Sequence, residues 1–274
     1  MNTYTEKYEL AKQMYLEGKS ITKIGKELGL ERHRLSYMLR QDGIEIVQNG
    51  STHIYIKDIF SIIDTEEKAY WLGFLYADGS VTTCGKYEVK LSLAYKDLEH
   101  VKKFASFVLV NKNGQELVHP YTAKIKDEEY PSAKVIVTNK RIVNDLITLG
   151  CIPDKSLVLT FPNQSQVPQH LVRHFIRGYF DGDGSVYRVK NQKNNVCISF
   201  VGTQSFLQSV INIFKTVCKN YGRQSLYQKK NQQAWQFSKT KYETNKKIYE
   251  YLYKDATIYL ERKYKVFADL YGKL

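Results

Sequence analysis

The chain has 274 residues, of which 43% are hydrophobic and 25% are charged, and its formal net charge is +13. This composition is typical of a folded protein and excludes a disordered chain. No apolar run approaches the roughly 18 residues of a membrane-spanning helix, and the first residues lack the apolar segment of a signal peptide. We therefore expect a cytoplasmic protein without membrane contact. Four widely separated cysteines favour reduced thiols over a disulfide or zinc site: Cys84, Cys151, Cys197 and Cys218.

The positive charge is concentrated in the last part of the chain. Residues 156–274 contain 19 basic and 7 acidic residues, whereas residues 1–155 contain 22 basic and 21 acidic residues. Between Asp183 and Glu243 there are ten basic residues and no acid. A polyanion is the expected partner of such a segment, and a basic surface without a partner is the alternative.

Residues 1–47 show the spacing of three short helices. In the first helix, Leu10 and Met14 lie on one side and are expected to face inward. A second helix capped by Ser20 follows, and a glycine turn separates it from the third. This order is typical of a helix-turn-helix domain, with Gly25 at the position where two helices cross closely.

The outward side of the third helix carries side chains that can reach phosphates and base edges in double-stranded DNA. These side chains belong to Arg32, His33, Arg34, Ser36 and Tyr37. The alternative is a three-helix bundle that serves packing only, which is favoured by Gly25, where alanine is usual, and by Glu31, where Ser or Thr would cap better. The near-neutral charge of this segment means that it cannot supply most of the affinity for nucleic acid. Residues 48–64 are interpreted as a linker.

An internal repeat dominates the rest of the chain. The stretch "AYWLGFLYADGSV" at residues 69–81 matches "HFIRGYFDGDGSV" at residues 174–186. Asp183 follows Asp78 by 105 residues, and the four letters "DGSV" are identical in the two copies. Such self-similarity predicts two copies of one structural unit in the chain.

The segments after the two copies are also similar to each other. Their patterns predict a strand, a helix, two further strands and a helix, and then a lysine, which is Lys155 in the first copy and Lys263 in the second. We therefore predict an α+β fold of two pseudo-symmetric αββαββα repeats, at residues 65–160 and 161–274.

Small residues recur four positions apart in each motif helix, so that the two helices can approach closely. They are Gly73 and Ala77 in the first copy and Gly178 and Gly182 in the second. The glycine after each final aspartate is expected to take the left-handed conformation that ends a helix. If the helices pack through their small residues, the final aspartates emerge side by side.

Asp78 and Asp183 would then repel each other, and each would lie at the negative end of a helix. A hard divalent cation such as Mg²⁺ or Mn²⁺ prefers these oxygen ligands and can activate water beside a phosphodiester. Lys155 and Lys263 would place one positive charge on each side of the pair. Asp181 has no acidic mate in the first copy and is interpreted as dispensable for chemistry.

The two copies, with their "DGS" endings and trailing lysines, resemble the LAGLIDADG motif of single-chain homing endonucleases. The resemblance covers roughly residue 65 to the end of the chain. It implies a saddle of strands over the major groove and a monomer that cuts both DNA strands at a long target site. It also implies that Asp78 and Asp183 are the metal-binding catalytic residues and that Lys155 and Lys263 occupy the basic active-site positions.

The strand patterns add basic side chains as candidate contacts to grooves and phosphates. They are Lys90, Arg188, Lys190, Lys229, Lys230 and Lys239. An exposed strand face of any protein would show a similar pattern, so these residues are the weaker part of the prediction.

Two other functions stay open at this point. A transcription regulator could keep this fold and the helix-turn-helix as a DNA-binding scaffold without cutting, although a scaffold has no use for two repelling carboxylates. An RNA-binding intron maturase built on the same fold is the second alternative.

Overall fold

The computed structural model describes residues 4–44, 46, 55–190, 195–223, 225–228 and 233–274. These residues form two compact units. One takes in the described residues up to Ile56 together with Val101–His119, and the other consists of Lys57–His100 and Pro120–Leu274. Within the described part of the chain, no helix is long and apolar enough to cross a membrane. The cytoplasmic location stays a prediction.

The first unit begins with three helices, α1 (Tyr4–Leu16), α2 (Ile21–Leu28) and α3 (Arg32–Gln41). Their shared core includes Tyr8, Ala11, Met14 and Tyr15 from α1, Ile21 and Ile24 from α2, and Leu35 and Leu39 from α3. The prediction that Leu10 faces this core is wrong. Its side chain is 42% exposed, because the buried face of α1 is set by its aromatic residues and Ala11.

The turn between α2 and α3 has identifiable local causes. The Ser20 hydroxyl accepts a hydrogen bond from the Lys23 amide at 3.3 Å, so Ser20 is the predicted N-cap of α2. Gly29 ends the helix with a left-handed φ of 66°. Gly25 serves this turn, since a Cβ there would lie less than 3.0 Å from the Leu30 carbonyl oxygen.

The first repeat has the predicted αββαββα order, and its four strands form one sheet in the order β1-β2-β4-β3. Where the pairing is described, neighbouring strands are antiparallel. The elements are α4 (Glu66–Asp78), β1 (Gly79–Thr82), β2 (Glu88–Ala94), α5 (Leu98–Val108), β3 (Val118–Ile125), β4 (Glu128–Thr138) and α6 (Lys140–Thr148).

The second repeat has the same order and the same strand arrangement, β5-β6-β8-β7, with antiparallel neighbours. An additional helix, α10, comes after it. The elements are α7 (Val172–Asp183), β5 (Ser185–Arg188), β6 (Val196–Gly202), α8 (Gln204–Val217), β7 (Tyr227–Gln228), β8 (Trp235–Lys239), α9 (Tyr242–Tyr253) and α10 (Glu261–Tyr271). The predicted α+β fold of two equivalent repeats is therefore confirmed.

Each sheet buries one face against the helices of its own repeat. In the first sheet Val89 and Leu91 of β2 are paired with Val137 and Val135 of β4, and all four side chains are buried. Because neighbouring residues of a strand point to opposite faces, Lys90 between Val89 and Leu91 is exposed on the other face.

Candidate active site

The two motif helices, α4 and α7, pack against each other through glycine. A Cβ at Gly73 would lie less than 3.0 Å from the Phe175 carbonyl oxygen, and one at Gly178 equally close to the Tyr70 carbonyl oxygen. Gly178 and Phe175 are the equivalents of Gly73 and Tyr70 in the second copy, 105 residues later. The two contacts are therefore equivalent, as expected for a pseudo-twofold axis between the helices. No larger residue allows this approach of the two backbones, which explains the small residues of the motif.

The conformation predicted for the glycines that end the motif helices is wrong. Gly79 has φ −74° and ψ 147°, and Gly184 has φ −77° and ψ 164°, so both are extended. Gly79 begins β1, and Gly184 directly precedes β5. Glycine is required for space instead. A Cβ at either position would lie less than 3.0 Å from the carbonyl oxygen four residues earlier, of Leu75 or Phe180.

Asp78 and Asp183 are the last residues of α4 and α7, and both reach the surface. Their helices are close enough that a Cβ at Gly182 would lie 3.2 Å from an oxygen of the Asp78 carboxylate. Partial removal from water, and next the charge of Asp183, raise the pKa of Asp78 to about 6. Lys263, Lys155 and Arg262 counteract this rise.

Lys263 lies in α10 and places its ammonium group at the carboxyl end of α7. Nζ donates to the carbonyl oxygens of Phe180 at 2.7 Å, Asp181 at 2.7 Å and Gly182 at 3.0 Å, and it also contacts that of Gly184. The Phe180 carbonyl oxygen also accepts from the Gly184 amide at 2.9 Å, and a cation at this end of α7 neutralises the helix dipole. Burial lowers the pKa of Lys263 to about 8, against the effect of Asp181.

Lys155 is the corresponding residue of the first repeat, in a short 3₁₀ turn, and it is also buried. Its ammonium group donates to the Gly79 carbonyl oxygen at the end of α4. The two lysines therefore have the same position relative to the aspartates. Among the described residues, Lys155 contacts one carbonyl oxygen, whereas Lys263 contacts four.

Asp181 holds the segment that precedes α10. Its buried carboxylate accepts hydrogen bonds from the Leu260 amide at 2.8 Å, the Tyr70 hydroxyl at 2.9 Å and the Tyr253 hydroxyl at 2.7 Å. At the corresponding place in the first repeat, the Tyr76 hydroxyl donates to the Leu149 carbonyl oxygen. Asp181 thus has a defined structural role that the sequence did not indicate.

Arg177 holds the same segment from one helical turn earlier in α7. Its guanidinium is fully buried and donates to the carbonyl oxygens of Ile258 at 2.9 Å and Leu252 at 2.8 Å. It also pairs with Glu66 at 2.7 Å, and Glu66 accepts from the Thr257 amide at 2.7 Å. Together with Asp181, these contacts fix the start of α10 and therefore the position of Lys263.

Sequence reasoning also missed Arg262, the residue before Lys263. Its Nε donates to the two carboxylate oxygens of Asp97 at 2.9 and 3.0 Å. Asp97 is buried, and the Arg262 side chain is 46% exposed. The partners are 165 residues apart in the chain, so no local pattern indicated the pair.

The other predicted contact residues fall into three groups. Arg32, Arg34 and Tyr37 are exposed on α3 and Ser36 is half-buried; Lys90, Arg188 and Lys190 are also exposed. Lys229 and Lys230 lie outside the described residues. Lys239 is buried on the core face of β8, where Nζ donates to the Arg223 carbonyl oxygen at 3.0 Å and lies over the Tyr221 ring. This placement does not match the predicted DNA contact.

The donor set fits a divalent cation that is bound by few protein ligands. Among the described residues, no group of three or more acidic, histidine or cysteine side chains forms a metal cage. Mg²⁺ is commonly held by one or two carboxylates, with water and substrate phosphate as the remaining ligands. Asp78 and Asp183 provide such a pair, and a cation between carboxylates offsets their mutual repulsion.

Comparisons with known proteins agree with this geometry. Residues 170–254 match the family model of the LAGLIDADG-like domain. The homing endonuclease I-WcaI bound to its DNA recognition sequence superimposes with a TM-score of 0.52 at 12% identity, over 82% of this chain and 97% of that chain. No curated protein sequence gives a significant match.

Two other solved structures are similar at lower scores. Meganuclease I-SmaMI bound to uncleavable DNA has a TM-score of 0.44 at 11% identity, covering 74% of this chain and 86% of that chain. The LAGLIDADG homing endonuclease I-GzeII in complex with its DNA target has a TM-score of 0.43 at 13% identity. The match covers 74% of this chain and 88% of that chain.

The fold and the paired motif helices thus define a protein of two equivalent repeats. More particularly, the chain has the fold of the homing endonuclease I-WcaI, and its second repeat contains a LAGLIDADG-like domain. The N-terminal helices lie outside the residues that the family model matches, and their role in DNA binding stays a prediction.

Proposed function

We propose that this protein is a site-specific endonuclease that binds double-stranded DNA and hydrolyses one phosphodiester in each strand. The observation that carries the proposal is the reciprocal glycine packing of α4 and α7, which brings Asp78 and Asp183 together at the surface. A protein that only binds DNA gains nothing from this pair, because the two carboxylates repel each other. The similar fold of I-WcaI, whose structure contains its DNA recognition sequence, supports the proposal.

In this proposal Asp78 and Asp183 would hold Mg²⁺ or Mn²⁺. A divalent cation in such a site activates a water molecule and neutralises charge on the reacting phosphate. Lys155 and Lys263 act through their positive charge and by fixing the last turns of α4 and α7, since their ammonium groups are bound by backbone carbonyls. One chain supplies both halves of the site, so the active form is a monomer.

Exposed basic side chains would bind the DNA backbone. Lys90 lies on the open face of the first sheet, and Arg188 and Lys190 come after the second motif. In the N-terminal unit, Arg32 and Arg34 lie on the exposed side of α3. Contacts of this kind give affinity that falls steeply with salt.

The proposal is tested with a plasmid library that carries randomised inserts, incubated with the full-length protein and Mg²⁺. Linear products are captured by ligation to adaptors and sequenced. We expect a single enriched sequence that is cut in both strands. If the protein selects a sequence by binding but leaves the plasmid intact, the endonuclease proposal is rejected and a DNA-binding regulator is favoured. Selective binding to a folded RNA would favour the maturase instead.

The role of α3 is tested with Arg32→Ala on the selected target. Because a lost phosphate contact removes about one unit from the slope of log affinity against log salt, we expect a shallower slope and weaker binding. Lys7→Ala removes one charge from α1 instead and serves as the control. Equal slopes for the wild type and Arg32→Ala would show that α3 does not contact the DNA at this residue.

A further inference from the structure

Resting on the proposed function, we propose that Arg262 contacts the scissile phosphate of one DNA strand only. The active site is then asymmetric, and the protein cuts its two strands at unequal rates. Three features of the molecule support this role: how Arg262 is held, its nearness to the aspartates and the lack of an equivalent arginine beside Lys155 in the first repeat.

The guanidinium of Arg262 is fixed at one edge and open at the other. Nε donates to both oxygens of the buried Asp97 carboxylate, at 2.9 and 3.0 Å. Within the described residues, the two terminal nitrogens, which carry four N–H donors, make no hydrogen bond, and the side chain is 46% exposed. A planar group held in this way is suited to bind two oxygens of a phosphate.

Arg262 precedes Lys263, whose ammonium group donates to the carbonyl oxygens of Asp181 and Gly182 at the end of α7, so Arg262 lies beside the proposed active site. Its charge opposes the rise in the pKa of Asp78, which burial and Asp183 cause. Burial lowers the pKa of Lys263, and Arg262 adds to that decrease. A phosphate that approaches the aspartate pair would therefore meet this positive charge on the side of α10.

The first repeat has no such group at the equivalent place. Lys155 corresponds to Lys263, and the residue before it is Asp154, an acid in the left-handed conformation with φ 49°. The counterpart of Asp97 is Thr203, which also precedes the helix after the second strand. Its hydroxyl donates to the Leu159 carbonyl oxygen at 2.5 Å, so the equivalent link is neutral. The arginine is thus present on one side of the pseudo-twofold axis only.

The test measures cutting of each strand separately, on the selected target in a supercoiled plasmid with Mg²⁺. Arg262→Gln is compared with Lys265→Gln, which removes one positive charge from an exposed position of the same helix. We expect Arg262→Gln to slow the cutting of one strand by about 100-fold, a typical effect of losing one transition-state donor, so that nicked circles accumulate. Lys265→Gln should leave both rates unchanged.

Arg262→Lys distinguishes charge from geometry, since lysine keeps the charge but not the planar group. We expect it to recover only part of the lost rate. Equal slowing of both strands by Arg262→Gln, or the same effect in Lys265→Gln, would overturn the role of Arg262 and leave the endonuclease activity standing. Failure of the wild type to cut either strand would overturn the proposed function and this inference with it.

Discussion

Asp183→Asn is expected to abolish cutting of the selected DNA while the protein still folds and binds. Losing one of two carboxylates that hold the cation removes several kcal/mol of transition-state stabilisation, so the rate should fall on the order of 1,000-fold. Stability should be unchanged or higher, because the substitution relieves repulsion with Asp78. Single-turnover cleavage, DNA binding and thermal unfolding measure the three properties.

Asp181→Asn is the matched control, two residues earlier in the same helix. In the wild type the Asp181 carboxylate accepts hydrogen bonds from three buried donors. The side-chain amide of asparagine has one oxygen and one NH₂ group, and the NH₂ group cannot accept a hydrogen bond from these donors. We expect the free energy of unfolding to fall by about 3 kcal/mol. Full cutting by Asp183→Asn, in protein whose unfolding temperature equals that of the wild type, would exclude Asp183 as a catalytic residue.

Gly178→Ala is expected to cause the largest loss of stability among small substitutions in the motif helices. The added Cβ would lie less than 3.0 Å from the backbone of Tyr70 and Phe74 on α4, so the two helices must separate. Overpacking of this kind costs about 3 kcal/mol, and a shift of α4 against α7 should also reduce cutting because it moves Asp78 relative to Asp183. Urea unfolding gives the loss of stability.

Gly85→Ala provides the comparison for this substitution. Gly85 has a left-handed φ of 74° and no atom within 4 Å of its added Cβ, so the cost should be only about 1 kcal/mol, from the backbone conformation. If Gly178→Ala were no more destabilising than Gly85→Ala, the close packing of α4 and α7 would be wrong.

The paired aspartates could be predicted because the information is local and occurs twice. Each copy of the motif is 13 residues long. These residues include the small side chains at helical spacing and the shared "DGSV" ending. Repetition of that pattern fixes the element order and makes Asp78 and Asp183 equivalent. The αββαββα order could be predicted from the alternation of strand and helix patterns after each motif.

The environment of these residues could not be predicted, because it depends on contacts between distant parts of the chain. The partners of Asp181 are residues 70, 253 and 260, and the partner of Arg262 is Asp97. The ammonium of Lys263 faces carbonyl oxygens, whose positions no side-chain pattern reveals. Lys239 differs, because it lies two residues after the buried Phe237 and strand alternation already places it on the core face. The predicted DNA contact overlooked this.

The central claim is that Asp78 and Asp183 together hold the divalent cation that cleavage requires. The most direct measurement is strand-resolved cleavage of the selected target by the wild type, with Mg²⁺, with EDTA, and with Mg²⁺ restored in excess. We predict that both strands are cut with Mg²⁺, that neither is cut in EDTA, and that restored Mg²⁺ recovers the full rate. Cutting that persists in EDTA, or cutting at the wild-type rate by the double variant Asp78→Asn, Asp183→Asn, would contradict the claim.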